Sequence, residues 1–169
     1  MSAAFTPSFQ QFQKDIERYL EGQGKREKNE HGQTVYRGYP AALSRMFREY
    51  IEEEAFAPLV AELRTWNWEW DYNDYLLELT ECLQKAGDWP LLKELWAAVI
   101  AKRRTNYNKT KKAQRALPEK IPEALVTKTA ELLLESLGRL QRYASVLQQE
   151  SDAREYLEMS SRVEKRIKA

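Results

Sequence analysis

Apolar residues recur at three- and four-residue spacing along most of this chain, which is the pattern of amphipathic helices. The clearest example runs from Leu76 to Val99, where two apolar stripes flank the turn Gly87-Asp88-Trp89-Pro90. In this turn the glycine suits a left-handed helix end, the aspartate suits an N-cap, and the proline suits a first helical turn. The pattern therefore predicts a helical hairpin, with helices over about 72–85 and 89–112.

The same periodicity predicts further helices on both sides of this hairpin. One lies between Pro7 and Gly22, and others begin at Pro40, at Pro58 and after Pro122, while Ser151-Asp152 is expected to cap the last one. Leu, Ala, Glu, Lys and Arg dominate the composition, as is typical of helices. The expected class is all-α, with about seven helices in a bundle or a short right-handed array of antiparallel hairpins.

In the long helix after Pro122, apolar residues alternate at four- and three-residue spacing like a heptad seam. Two interpretations stay open: the helix lies along the bundle, or the seam over 126–147 holds a homo-oligomer. The seam comprises Val126, Ala130, Leu133, Leu137, Leu140, Ala144 and Leu147.

The segment 22–39 interrupts the helical pattern with four glycines, mixed charge and the only histidine, His31. It is predicted to be a mobile loop with a short extended piece at Gln33 to Tyr36. A loop of this length either functions in binding or is a plain connector. The length of 169 residues fits a single helical domain over 1–169 that contains this loop.

The apolar pattern of the central hairpin also recurs elsewhere in the chain. A shift of 33 residues toward the N-terminus places its seven main apolar positions on apolar residues, and a forward shift of 64 gives a weaker copy. With its Gly-Asp-aromatic turn, the stretch 43–99 resembles the tetratricopeptide repeat. It departs from that family at Thr80, Leu92 and Arg104, where a small residue, an alanine and a proline are expected. The resemblance implies a concave, peptide-binding scaffold without catalysis.

Charge is distributed unevenly along the chain. Residues 49–81 hold ten acids and one base, whereas 95–118 hold seven bases and no acid, although the formal net charge is only +1. Either these are solvated faces, or the basic stripe contacts the phosphates of a nucleic acid. The candidate nucleic-acid-binding residues are Lys102, Arg103, Arg104, Tyr107, Lys109, Lys111, Lys112 and Arg115.

Aromatic residues are concentrated between Trp66 and Tyr75, where polar residues separate them. Asparagine and aspartate favour a helix-to-helix connection here, with Asn73 or Asp74 near the next N-cap. Because large aromatic residues are enriched at interface hot spots, the predicted partner-binding residues are Trp68, Trp70, Tyr72 and Tyr75. The groove between the helices at Pro40 and 89–112 would complete this surface.

Candidate chemistry is sparse. One histidine and one cysteine, Cys82, do not supply a metal site, and the sequence shows no phosphate-binding glycine loop and no catalytic motif. No catalytic residue, cofactor or metal is therefore expected. The N-terminus lacks the pattern of a signal peptide and no apolar run spans a membrane, so a cytoplasmic protein without a membrane partner is expected. The leading hypothesis is a non-enzymatic adaptor that binds another protein, and the alternative is a nucleic-acid-associated helical protein.

Overall fold

The computed structural model describes residues 25–28, 30, 34–37, 39–70 and 72–168. The chain divides into two compact units, Met1–Glu62 and Leu63–Ala169, and the single domain over 1–169 stays a prediction. The boundary between the two units falls inside the helix Phe56–Leu63, so no change in amino-acid composition marks it. The predicted helix between Pro7 and Gly22 lies outside the described residues.

The first unit contains two strands and two helices. Strands β1 (Lys25–Lys28) and β2 (Thr34–Arg37) pair antiparallel, with Lys25 opposite Arg37. The predicted extended piece overlaps β2, but the highly charged sequence of β1 carries no apolar alternation that could predict a strand. The segment predicted as a loop with one short extended piece thus contains a pair of strands. Helix α1 (Tyr39–Glu52) follows, and α2 (Phe56–Leu63) begins here and ends at the first residue of the second unit.

In the described part of the second unit, four helices follow the connector, residues 64–70 and 72–73. Within this unit α4 packs against α3 and α5, and α5 packs against α6. Its helices are α3 (Asp74–Ala86), α4 (Trp89–Ala116), α5 (Glu123–Val146) and α6 (Glu150–Lys168). The described residues thus form six helices, which confirms the all-α class. None of these described helices is long and apolar enough to cross a membrane.

The turn between α3 and α4 forms as its residues predict. Asn73 caps α3 by accepting a hydrogen bond from the Leu76 backbone N–H, and Asp88 caps α4 through the Leu91 N–H. Gly87 adopts the left-handed conformation, with φ of 67°. The caps and the left-handed glycine therefore determine where α3 begins and ends and where α4 begins.

Two other helix ends share the geometry of Gly87. Glu54 and Gln148 also have positive φ, at 56° and 59°. In all three turns the left-handed residue bonds a carbonyl three residues back, and the next N–H bonds one five residues back. Gly87 lies 33 residues after Glu54, and Gln148 lies 61 residues after Gly87. The tetratricopeptide-like repeat itself stays a prediction.

The heptad seam of α5 lies inside the second unit. Its five central positions are at most 2 % exposed, and α5 packs against both α4 and α6. The expectation of an oligomer held by 126–147 is therefore wrong for the centre of this seam, because its apolar surface is already buried within the chain. These five positions are Ala130, Leu133, Leu137, Leu140 and Ala144.

The start of α6 differs from its predicted cap. The helix begins at Glu150, so Ser151 and Asp152 lie in its first turn. The Asp152 carboxylate instead accepts hydrogen bonds from the Trp89 indole N–H at 2.7 Å and from Lys93 Nζ at 3.2 Å. These contacts lower the pKa of Asp152 and join the starts of α4 and α6.

Candidate interaction site

Two tryptophans of the connector, Trp66 and Trp68, make contacts within the second unit. Trp68 is only 2 % exposed, and its indole N–H donates to the Leu63 carbonyl oxygen at 2.7 Å. The Trp66 ring stacks on Trp68 at 6.0 Å between centroids and meets the edge of Tyr75 at 5.8 Å. Trp68 is therefore not available to a partner, which corrects its predicted role, whereas Trp70 is 39 % exposed.

Arg103 of α4 forms hydrogen bonds with both the connector and α5. Its side chain is 1 % exposed, and Nε donates to the Trp68 carbonyl oxygen at 2.9 Å. Nη1 donates at 2.8 Å to the hydroxyls of both Tyr72 and Ser136. A single guanidinium of α4 thus joins the connector, at Trp68 and Tyr72, to Ser136 of α5.

Tyr72 is the connector residue at the centre of this network. Its ring lies 4.2 Å from the Arg103 guanidinium carbon and 4.8 Å from that of Arg139, within cation–π range. Its hydroxyl donates to the Glu135 carboxylate, and burial together with this bond raises the pKa of Tyr72 to about 12. Tyr72 was predicted to bind a partner, but its polar atom is already used within the chain.

Glu135 carries the negative charge of the cluster. Partial burial by itself would raise its pKa, but hydrogen bonds from Tyr72 and Arg139 and the charges of both arginines outweigh burial. The pKa of Glu135 is therefore lowered, and the carboxylate stays ionised between the two guanidinium groups.

Burial of Arg103 corrects its predicted role as a phosphate contact. Tyr107 is buried as well, with its ring 5.7 Å from Lys111 Nζ. Both residues continue the apolar stripe of Trp96 and Val99 at helical spacing. That register is the signal that could have distinguished Arg103 from the exposed cations beside it.

The remaining basic residues do not form one continuous site. Lys109, Lys112 and Arg115 are exposed, while Lys102, Arg104 and Lys111 are half-buried. Lys102 Nζ donates a hydrogen bond to the Thr65 carbonyl oxygen of the connector at 3.4 Å. Of the predicted stripe, Lys102 lines one of two grooves and Lys111 and Arg115 line the other, while Arg104, Lys109 and Lys112 line neither.

The first, called here the connector groove, lies between the connector and α4. It has a volume of about 390 Å³, and Thr65, Asn67 and Glu69 form one wall. Ala101, Lys102 and Thr105 form the other. The Asn67 side chain accepts a hydrogen bond from the Glu69 backbone N–H at 2.9 Å, which fixes the connector wall locally.

The second, called here the basic groove, lies where α4, α5 and α6 meet. It encloses about 180 Å³. Lys111 and Arg115 of α4 and Arg166 of α6 line it, together with Glu123 of α5. Its other lining residues are Tyr107, Gln114, Val126, Thr127, Ala130 and Ile167.

The side chains that could carry chemistry are the metal-ligating types, the Cys82 thiol and the hydroxyls around Tyr72. Among the described residues, no group of three His, Cys, Asp or Glu side chains is placed to hold a metal ion. Cys82 is half-buried, and burial raises the pKa of its thiol, which makes it a weaker nucleophile. The hydroxyls of Tyr72 and Ser136 lie close to the Glu135 carboxylate, but both already accept hydrogen bonds from Arg103 within the chain.

Comparisons of the chain with known proteins found no match. No family model matches it, and neither a curated protein nor a solved structure shows significant similarity to it. No similarity therefore transfers a ligand or an activity to this chain.

Proposed function

We propose that this protein is a non-enzymatic helical interaction module that binds another protein at the connector groove. The observation that carries the proposal is the attachment of the connector by Arg103, since this connector forms one wall of an open groove and carries the exposed Trp70. Preorganised surfaces lose less conformational entropy on binding, so a fixed connector favours affinity.

The lining of the connector groove suits a peptide better than an apolar small molecule. Glu69 and Lys102 provide one charge of each sign, and Thr65, Asn67 and Thr105 provide polar side chains. Such groups can pair with the backbone and side chains of an extended segment. Trp70, in the same connector, offers the large aromatic surface that is enriched at hot spots.

Nucleic-acid binding through residues 102–115 is the weaker alternative. Burial of Arg103 and Tyr107 removes one phosphate contact and the interleaved aromatic ring. The exposed cations that remain are consistent with a solvated face. Protein recognition is therefore the function we retain.

Affinity capture from an extract of the native cell tests this proposal. Immobilised wild-type protein is compared with Trp70→Ala and with Thr105→Arg, which places a long side chain in the connector groove. Loss of a tryptophan hot spot costs about 2 kcal/mol or more, so captured partners should fall by about 30-fold or more at limiting concentration.

Matched substitutions control for nonspecific effects. Leu157→Ala truncates another exposed apolar side chain, and Ser145→Arg adds the same cation elsewhere in the second unit. Both controls should retain the partners. Capture that is equal for the groove variants and wild type would refute the proposal.

A further inference from the structure

The basic groove presents three cations that have no counterion among the described residues. Lys111, Arg115 and Arg166 take part in no ion pair there, although Glu123 lines the same groove. Cations in the last turn of a helix stabilise its C-terminus, which accounts for Arg115 and Arg166 in part. Lys111 lies before the last turn of α4, so that explanation does not cover it.

The interior of the basic groove is apolar on one side. Val126 and Ala130 of α5 and Ile167 of α6 line it, and Ile167 is 38 % exposed. Its volume of about 180 Å³ is below the roughly 300–1,000 Å³ of pockets that enclose small molecules. The space fits a protruding side chain of a larger partner better than a whole cofactor.

The N-terminus of α5 adds to the positive field at this groove. Pro122 occupies the N-cap position and makes no side-chain cap bond, and Glu123 at the first helical position lines the groove. Backbone N–H groups at a helix start favour negative charge nearby. They supplement the three cations and do not form a site by themselves.

We infer that the basic groove binds an acidic peptide segment, seating one apolar side chain against Val126 and Ile167 while its carboxylates pair with the three cations. This site is separate from the connector groove and does not depend on the function proposed for it. An acidic segment fits better than a nucleic acid for two reasons. The aromatic ring of Tyr107 is buried and cannot stack on a base, and the apolar side of the groove at Val126 and Ile167 suits an aliphatic side chain, which a nucleic acid does not carry.

Fluorescence anisotropy with a defined probe tests this inference. The probe is a short fluorescein-labelled peptide in which glutamates surround two leucines, and the comparison peptide has glutamine at every glutamate. The full chain should bind the acidic peptide at low salt and bind the glutamine peptide at least about tenfold more weakly, because the ion pairs are lost.

Charge reversal then locates the binding surface. Arg115→Glu combined with Arg166→Glu should weaken binding at least about tenfold. The control combines Arg142→Glu with Arg154→Glu, two exposed positions outside the groove that change the net charge equally. If circular dichroism shows that the first pair impairs folding, Arg115→Gln combined with Arg166→Gln replaces it.

Three results would overturn the inference. The first is no binding of the acidic peptide at low salt. The second is equal weakening by the control pair, which would indicate nonspecific attraction. The third is tighter binding of a labelled single-stranded oligonucleotide with the same dependence on the groove arginines, which would make this a nucleic-acid surface. Insensitivity of peptide binding to Thr105→Arg would separate this site from the connector groove.

Discussion

Replacement of Arg103 by methionine tests whether this side chain holds the connector. Methionine keeps most of the aliphatic length but removes the bonds to the Trp68 carbonyl, Tyr72 and Ser136. Leaving the buried carbonyl unpaired costs about 1–3 kcal/mol, and the lost cation–π contact with Tyr72 adds about 0.5–2 kcal/mol. Removal of a desolvated charge offsets part of this, so we expect a net loss of about 2–4 kcal/mol.

Urea unfolding followed by circular dichroism measures this loss. The matched control is Arg104→Met, the same change at the next residue of α4, which should stay within about 0.5 kcal/mol of wild type. Quenching of tryptophan fluorescence by acrylamide should also increase in Arg103→Met, because the connector is released. Equal stability of Arg103→Met and wild type, or an equal loss in Arg104→Met, would refute the role assigned to Arg103.

Three further outcomes are expected. Gly87→Ala should destabilise the protein by about 1–2 kcal/mol in thermal or urea unfolding, because φ is 67°; a steric clash does not contribute, since no neighbour lies within 4 Å of the added Cβ. Gln148→Gly should instead stabilise the protein by about 0.5–1 kcal/mol, because glycine adopts positive φ without strain. A change of the same sign in both variants would contradict the turn geometry. Glu135 has a lowered pKa when folded, so its contribution to stability is present above its unfolded pKa of about 4.3 and is lost as the pH falls further. Urea midpoints of Glu135→Gln should therefore depend less on acid pH than those of wild type, and parallel curves would exclude this contribution. Tyr72 has a pKa of about 12 in the folded protein, so its contribution to stability is complete below about pH 10 and disappears as the pH rises through 12. The difference in tyrosinate absorbance between wild type and Tyr72→Phe should therefore titrate with a midpoint near 12. A midpoint near 10 would contradict the burial of Tyr72.

Local signals explain what could be predicted from the sequence. Asn73, Gly87 and Asp88 act through backbone groups within five residues, so the ends of α3 and α4 follow from their chemistry. The apolar spacing of α5 likewise predicts a long helix. It does not tell whether the seam meets another helix of the chain or a second chain, because both interfaces require the same pattern.

Contacts between distant residues explain what could not be predicted. Arg103 lies in a basic run and has its partners 29 to 35 positions away, at Trp68, Tyr72 and Ser136 among others. Asp152 has the composition of a cap, but its partners lie on α4. Composition predicts a single cation-rich stripe, but the packing of α4 buries Arg103, and of the other cations Lys102, Lys111 and Arg115 line the two grooves.

Site-specific crosslinking at the connector groove tests the central claim most directly. A photoreactive amino acid is placed at Thr105 in the groove and, as the control, at the exposed Ser145 of α5, and both proteins are irradiated in an extract of the native cell. Recognition of a partner at this groove predicts a discrete crosslinked protein from position 105 that is lost when Trp70→Ala is added and is not formed from position 145. The absence of a crosslinked protein at position 105, or the same products from both positions, would contradict the proposed function.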